Sequence, residues 1–266
     1  MTWGSFSNTH LLTLAFAVLV SILIYLILKR NKRSMQILTL FLLSLFSLTF
    51  LVLGVLSHKD DLIRNLPFSL SAISIILLPI AVLTRGKYLC NLLLIWSAGS
   101  IVSLVFNYDM ANVELLTYEF FSYFTMHLFG AAIPILLFEL NLVKREVSTI
   151  KLTVFFTIAF YTVAHLVNLA INTTNGWSVA EGVNYMATMD PSSSLHSFIY
   201  AIMPLQYWYM ALALPVLLLY IVYWYLPEIL DRHRRRKPLR KKLKDIDRYY
   251  EEYEKEFIDD IIDKKF

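Results

Sequence analysis

The chain has a single cysteine, Cys90, only seven glycines, and a charged fraction of 17%. One thiol excludes an internal disulfide framework and any cysteine-based metal site. Low charge, set against 58% hydrophobic residues, excludes an ordinary soluble domain, which carries about 25% charged and about 45–50% apolar residues. The opening MTWGSFSNTH contains no Lys or Arg. It therefore lacks the charged start of a cleavable signal peptide, and the first apolar run reads as a retained membrane span. No histidine and carboxylate stand at HxxE or HExxH spacing in the apolar runs. There is also no GxSxG elbow and no glycine-rich phosphate loop. No metal, no cofactor and no nucleic-acid partner are expected. A lysine is absent from the last apolar run, 197–226, so a retinal Schiff base has no site.

What is present is long apolar sequence. Seven runs stand out, at 10–28, 35–57, 66–83, 90–106, 117–140, 151–172 and 197–226. Each is near the ~20 residues that cross about 30 Å of hydrocarbon as a helix. The expected fold is all-α: a polytopic bundle of seven transmembrane helices over 1–226, followed by a charged tail over 227–266. Pro134, Pro204 and Pro215 fall inside runs and are expected to kink them.

Charge orients the bundle. Lys29, Arg30, Lys32, Arg33, Arg85, Lys87, Lys144, Arg145, Lys151 and the basic tail all fall on one side, with only Lys59 and Arg64 on the other. The positive-inside rule makes the first side cytoplasmic. The N-terminus is then outside, the C-terminus is cytoplasmic, and the location is a plasma or bacterial cytoplasmic membrane. The tail runs from RHRRRKPLRKKLK into EEYEKEF and DDIID. Leu239, Leu243, Ile246, Tyr250, Tyr253 and Phe257 recur at spacings of four and three, one apolar seam on a helix. An amphipathic cytoplasmic helix over 232–266 is expected to meet either anionic lipid or a cytoplasmic protein partner.

Ionisable side chains within spans are costly and are functional candidates by default. His127 lies ten residues into the fifth run, about 15 Å along a helix. His165 lies about 10 Å inside the outer end of the sixth, and Asn168 and Asn172 share its face. Ser69, Ser71 and Ser74 open the third run. These groups fall in the outer half of the bilayer and could line one cavity. The plainer alternatives are helix-to-helix hydrogen bonds for the histidines and close packing for the serines. The outer segment 173–196 is long for a helix connection, and Asn184-Tyr185-Met186 at its centre could fold back on the bundle mouth. Asn172-Thr173-Thr174 is a glycosylation sequon.

The stretch NLPFSLS at 65–71, then LLPIAVLTRGKYLCNLLLIWSAGSIVSLVF, then EFFSYFTMHLFGAAIPI, resembles the bacterial YwaF family of integral membrane proteins. Asn184-Tyr185-Met186, Pro191 and PLQYWY at 204–209 are similar to its closing elements. The resemblance covers roughly 62–227. Eukaryotic relatives of that family are acyltransferases of ether phospholipids that use a cysteine nucleophile with a histidine. The resemblance places that histidine at His127 and that cysteine at Ser71, with Ser69 where a second histidine stands.

Two functions follow as expectations. One is a lipid-binding or scaffolding membrane subunit that has lost the cysteine nucleophile, with membrane phospholipid bound through Ser69, His165, Asn168, Asn184 and Tyr185. The other is a membrane acyltransferase or lipid hydrolase with Ser71 as nucleophile, His127 as general base, and Asn168 or Asn184 as oxyanion donor.

Overall fold

In the computed structural model of the chain, residues 2–57, 61–106, 110, 112–190 and 194–263 are described. They form α1 (Asn8–Lys29), α2 (Arg33–Ser57), α3 (Leu70–Thr84), α4 (Lys87–Val105), α5 (Tyr118–Glu139), α6 (Ile150–Asn175), α7 (Ser194–Ile202) and α8 (Leu214–Asp263). No β-strand occurs among the described residues; a lone bridge joins Thr2 to Glu114. The chain divides into two units, Met1–Ile221 and Val222–Phe266.

Hydroxyls set several helix starts. Ser7, Ser69 and Thr117 each accept a hydrogen bond from the backbone N–H three residues on, at His10, Ala72 and Phe120. This satisfies one of the amides that a helix N-terminus leaves unpaired. At the other end of α6, Gly176 takes φ +66°, the left-handed turn that only glycine adopts freely.

Among the described residues, six spans are long and apolar enough to cross a membrane: α1, α2, α4, α5, Val147–Asn175 and Tyr209–Arg234. The third run makes a helix of 15 residues instead, because its first part turns tightly, with the Phe68 N–H bonded to the Leu66 carbonyl, and Ser69 starts the helix late. The last run is not one span. It forms α7, leaves the helix at 203–208, and re-enters α8 through a 3-10 turn at Tyr209–Ala213. Pro204 supplies the reason, since it lacks an N–H and drives the preceding residue out of helical geometry. Tyr207, at φ +65°, then donates its N–H to the Thr188 carbonyl at 2.9 Å. Of the three expected kink prolines, Pro134 alone lies in the middle of a helix; Pro204 sits in the break and Pro215 in the first turn of α8, where proline is tolerated.

α5 is the hub. Its membrane-crossing window is 78% buried, against 11% for α1 and for Val147–Asn175. It packs most heavily on α4, then on α2 and α3. Ile75 and Leu78 of α3, Leu93, Leu94 and Ile95 of α4, and Ile133 and Leu137 of α5 are almost wholly enclosed. Helices α3 and α4 run antiparallel, with Leu70 beside Gly99 and Cys90 Sγ bonded to the Ala81 carbonyl. Helix α5 is also antiparallel to α4: Tyr123 meets Ser103, Gly130 meets Ser100, and the Lys144 carbonyl meets Asn91. Helices α3 and α5 therefore run the same way. Cys90 is simply buried.

The N-terminal residues tuck over the start of α5. Trp3 is fully buried, edge-on to His10, Phe120, Tyr123 and Phe124, and its indole N–H reaches Thr13 Oγ1 at 2.6 Å. His10 accepts from the Phe6 N–H at Nδ1 and so donates from Nε2 to the Leu104 carbonyl, 2.8 Å away.

Candidate functional site

The sequence candidates separate into two places. The first is a layer between α3, α4 and α5. His127 is buried there, with Nδ1 2.8 Å from the Tyr123 carbonyl. A carbonyl can only accept, so Nδ1 carries the proton and the neutral ring presents its lone pair at Nε2. Tyr123 lies against the imidazole, ring centres 4.1 Å apart, and Trp3 closes over Tyr123. Three residues on, Gly130 brings α5 close to its neighbours. A Cβ there would lie 2.7 Å from Ser100 Oγ and 3.4 Å from Ile75 Cδ1. Ser100 Oγ is buried and has no hydrogen-bond partner among the described residues.

Register places Ser71 at the same level as His127. Ile75 meets Gly130; one turn earlier on the parallel helices α3 and α5 stand Ser71 and His127. Ser71 is half-buried, and no hydrogen bond joins it to His127 among the described residues. Ser69 is exposed and caps α3, while Ser74 bonds its own helix at the Leu70 carbonyl.

The second place is the C-terminal half of α6, where the segment 182–190 folds back. Asn168 and Asn172, one turn apart, treat that segment as a strand. Asn172 donates to the Val183 carbonyl at 3.0 Å and accepts from the Val183 N–H at 2.8 Å. Asn168 donates to the Tyr185 carbonyl at 3.0 Å, accepts from the Tyr185 N–H at 2.9 Å, and also donates to Thr188 Oγ1 at 2.8 Å. His165 Nδ1 lies 3.1 Å from the same Thr188 oxygen. Tyr209 donates to the Ala187 carbonyl and Tyr185 to the Ile63 carbonyl. Burial first, and the Asp61 carboxylate second, raise the Tyr185 phenol above its ordinary pKa, which keeps that donor protonated.

Met186 and Ala187 hold φ of +57° and +51°, a conformation that costs an L-residue about 1–2 kcal/mol. Such strain persists only where surrounding contacts over-determine it; here the two asparagines and Tyr209 do so. Asn184 bonds its own segment. It donates to the Asp190 carbonyl and accepts from the Met189 N–H. The amide atoms of Asn168 and Asn172 are thus committed to the segment. For the same reason the sequon asparagine, Asn172, is closed to a glycosylating enzyme.

A third feature was not visible in the sequence. An apolar groove of about 260 Å³ lies between the segment before α3 and the end of α6, lined by Ile63, Leu66, Ala170, Ile171, Thr174 and Asn175. Beside it the Arg64 guanidinium sits over the Trp177 ring, 4.7 Å from its centre. It pairs with Asp61 at 3.1 Å and donates to the Glu181 carbonyl at 2.6 Å. Tryptophan and arginine beside apolar surface are the usual dress of a membrane interface. No group of three or more His, Cys, Asp or Glu that could hold a metal occurs among the described residues.

Comparison with known proteins assigns the chain. No curated protein and no solved structure matches it. Residues 5–225 match the TMEM164 family. This replaces the YwaF resemblance, which rested on short motifs between 62 and 227 and left the first two spans aside; the family match takes in all of α1 and α2. What that resemblance implied for Ser71 and His127 goes with it. By a match over most of its length, the chain belongs to the TMEM164 family.

Proposed function

We propose that this chain is a phospholipid-binding or scaffolding membrane protein. In this reading it crosses a plasma or bacterial cytoplasmic membrane seven times, the short α3 making the seventh crossing, with the N-terminus outside. The observation that carries the reading is the groove between Ile63, Leu66 and Ile171. It is smaller than the ~300–1,000 Å³ of pockets that enclose whole ligands, and its size matches part of one acyl chain laid along an open groove. The Asp61–Arg64 pair beside it offers one charge of each sign to a zwitterionic headgroup. The residues that hold the lipid are then those of the groove, because the amides of Asn168 and Asn184 are already bonded to the chain itself.

Purified protein in vesicles containing a photoactivatable phosphatidylcholine tests this. Ile171→Trp fills the groove and is expected to reduce labelling of α6 several-fold. Leu166→Trp, on an exposed part of the same helix, leaves it unchanged. Equal labelling of wild type and Ile171→Trp refutes lipid binding in the groove.

A second reading has one observation in its favour, the lone pair at His127 Nε2 on the level of Ser71. In it, Ser71 Oγ attacks an acyl ester, His127 takes the serine proton, and the lysolipid oxygen leaves with that proton. Acyl transfer from labelled phospholipid by the purified chain is the measurement. Ser71→Ala and His127→Ala are each expected to abolish it, and full turnover in both variants rules the pair out.

A further inference from the structure

The last part of α8 belongs to the second unit of the chain, Val222–Phe266, and carries an uncovered seam. Ile246, Tyr250 and Tyr253 are 50%, 65% and 60% exposed, at the four-then-three spacing of a coiled-coil stripe. A helix of this length has little to hold it in water unless its apolar stripe is covered. The sequence around the stripe divides by charge. From 232 to 244 there are nine Lys and Arg and no acidic residue; from 245 to 263 there are nine Asp and Glu with only Arg248 and Lys255.

We propose that the stripe is covered by the same stripe of a second copy of this chain, running antiparallel. The occupant follows from register and charge together. The seam positions 239, 243, 246, 250, 253 and 257 are symmetric about 248. A two-fold axis there sets 239 against 257, 243 against 253, and 246 against 250, so every layer pairs an a with a d position. With 239, 246 and 253 as d positions, 240 and 254 are e and 242 and 256 are g; antiparallel helices set e beside e and g beside g, so the axis brings Arg240 to Glu254 and Lys242 to Glu256, each a basic residue facing an acidic one in the sequence. A parallel pair keeps the seam but places the basic block against the basic block, and like charges in register oppose association. An anionic membrane surface attracts 232–244 and repels 245–263, so it accounts for half of the pattern. Pro227 and Pro238 precede the seam, and proline lets a helix bend, which gives two copies in one membrane room to turn their tails together. The interface is isologous and closes as a dimer.

The test uses the full chain in nanodiscs, with Cys90→Ala as background. One tagged copy carries Ile246→Cys and a differently tagged copy carries Tyr250→Cys. Oxidation is expected to give mainly the mixed dimer, at least five-fold over either self-linked form. Self-linked Ile246→Cys in equal yield means a parallel pair, and no cross-link means an unpaired tail; either result overturns the proposal. Charge exchange checks it without cysteines. Converting Arg240 and Lys242 to Glu is expected to give monomers by mass photometry. Converting Glu254 and Glu256 to Lys does the same, and combining both sets restores the dimer. Failure of the combined variant to dimerise, while the wild type does, also overturns the antiparallel register. The outcome is independent of whether the groove binds lipid.

Discussion

Replacing Asn168 with leucine is expected to lower the thermal midpoint of the detergent-solubilised protein by about 6–12 °C. The side chain is fully buried and makes three hydrogen bonds, two to the backbone of Tyr185 and one to Thr188. Leucine fills a similar volume but leaves those partners unpaired. Each unsatisfied buried group costs about 1–3 kcal/mol. Partial opening of the segment to water recovers some of this, so the net loss is about 3 kcal/mol, at about 2–4 °C per kcal/mol for a chain of this size. Met186 and Ala187 offset part of the loss, because their left-handed backbone relaxes once the contacts that hold it are gone. Asn175 is the control. Its amide bonds only the Ile171 carbonyl on the exposed helix surface, so Asn175→Leu is expected to stay within about 0.5 kcal/mol. Equal midpoints for the two variants would show that 182–190 is not clamped by Asn168.

The second large effect is at Gly130. Valine there meets Ser100 Oγ and Ile75 across helices that already touch, and overpacking of this kind costs about 1–3 kcal/mol. We expect the upper end, because α5 is held on three sides and cannot back away. Alanine separates the steric term from the rest. Its Cβ needs Ser100 Oγ to move from 2.7 Å, and that oxygen has no partner to lose. The double variant Gly130→Ala with Ser100→Ala removes both the contact and an unpaired buried hydroxyl, and it gains about 1 kcal/mol of helix propensity. It is expected to melt above the wild type, with clear coupling between the two sites in a double-mutant cycle. Strict additivity of the single variants would mean that the helices part rather than adjust locally.

Much of this arrangement could be read in the residues beforehand. The central place of α5 follows from the one long apolar run that also carries a histidine, a glycine and a proline, where small or kinked positions admit neighbours. The shared face of His165, Asn168 and Asn172 follows from helical spacing, and the return of 184–186 onto the bundle follows from the length of its loop. The break at 203–208 did not show, because hydropathy continues through it and only Pro204 marks the change. Trp3 and His10 did not show either; a ring near a chain end carries no periodicity until its partners on α5 are known. The groove depends on Ile63 and Ile171, more than a hundred residues apart, which no local pattern connects. The two-place division of the candidate groups is likewise a matter of which face of each helix turns inward. The loop's need for glycine at 182 is similar, since the atoms a Cβ would strike belong to the side-chain amide of Asn172.

Cys90 has a practical consequence. Its sulfur is enclosed and turned to the Ala81 carbonyl across α3 and α4, so the intact chain offers an aqueous maleimide almost nothing to react with. Any label placed at an engineered surface cysteine therefore reports from that position alone. The slow residual modification of Cys90 becomes a built-in clock for the parting of α3 from α4, readable by mass spectrometry in the membrane without altering a single residue.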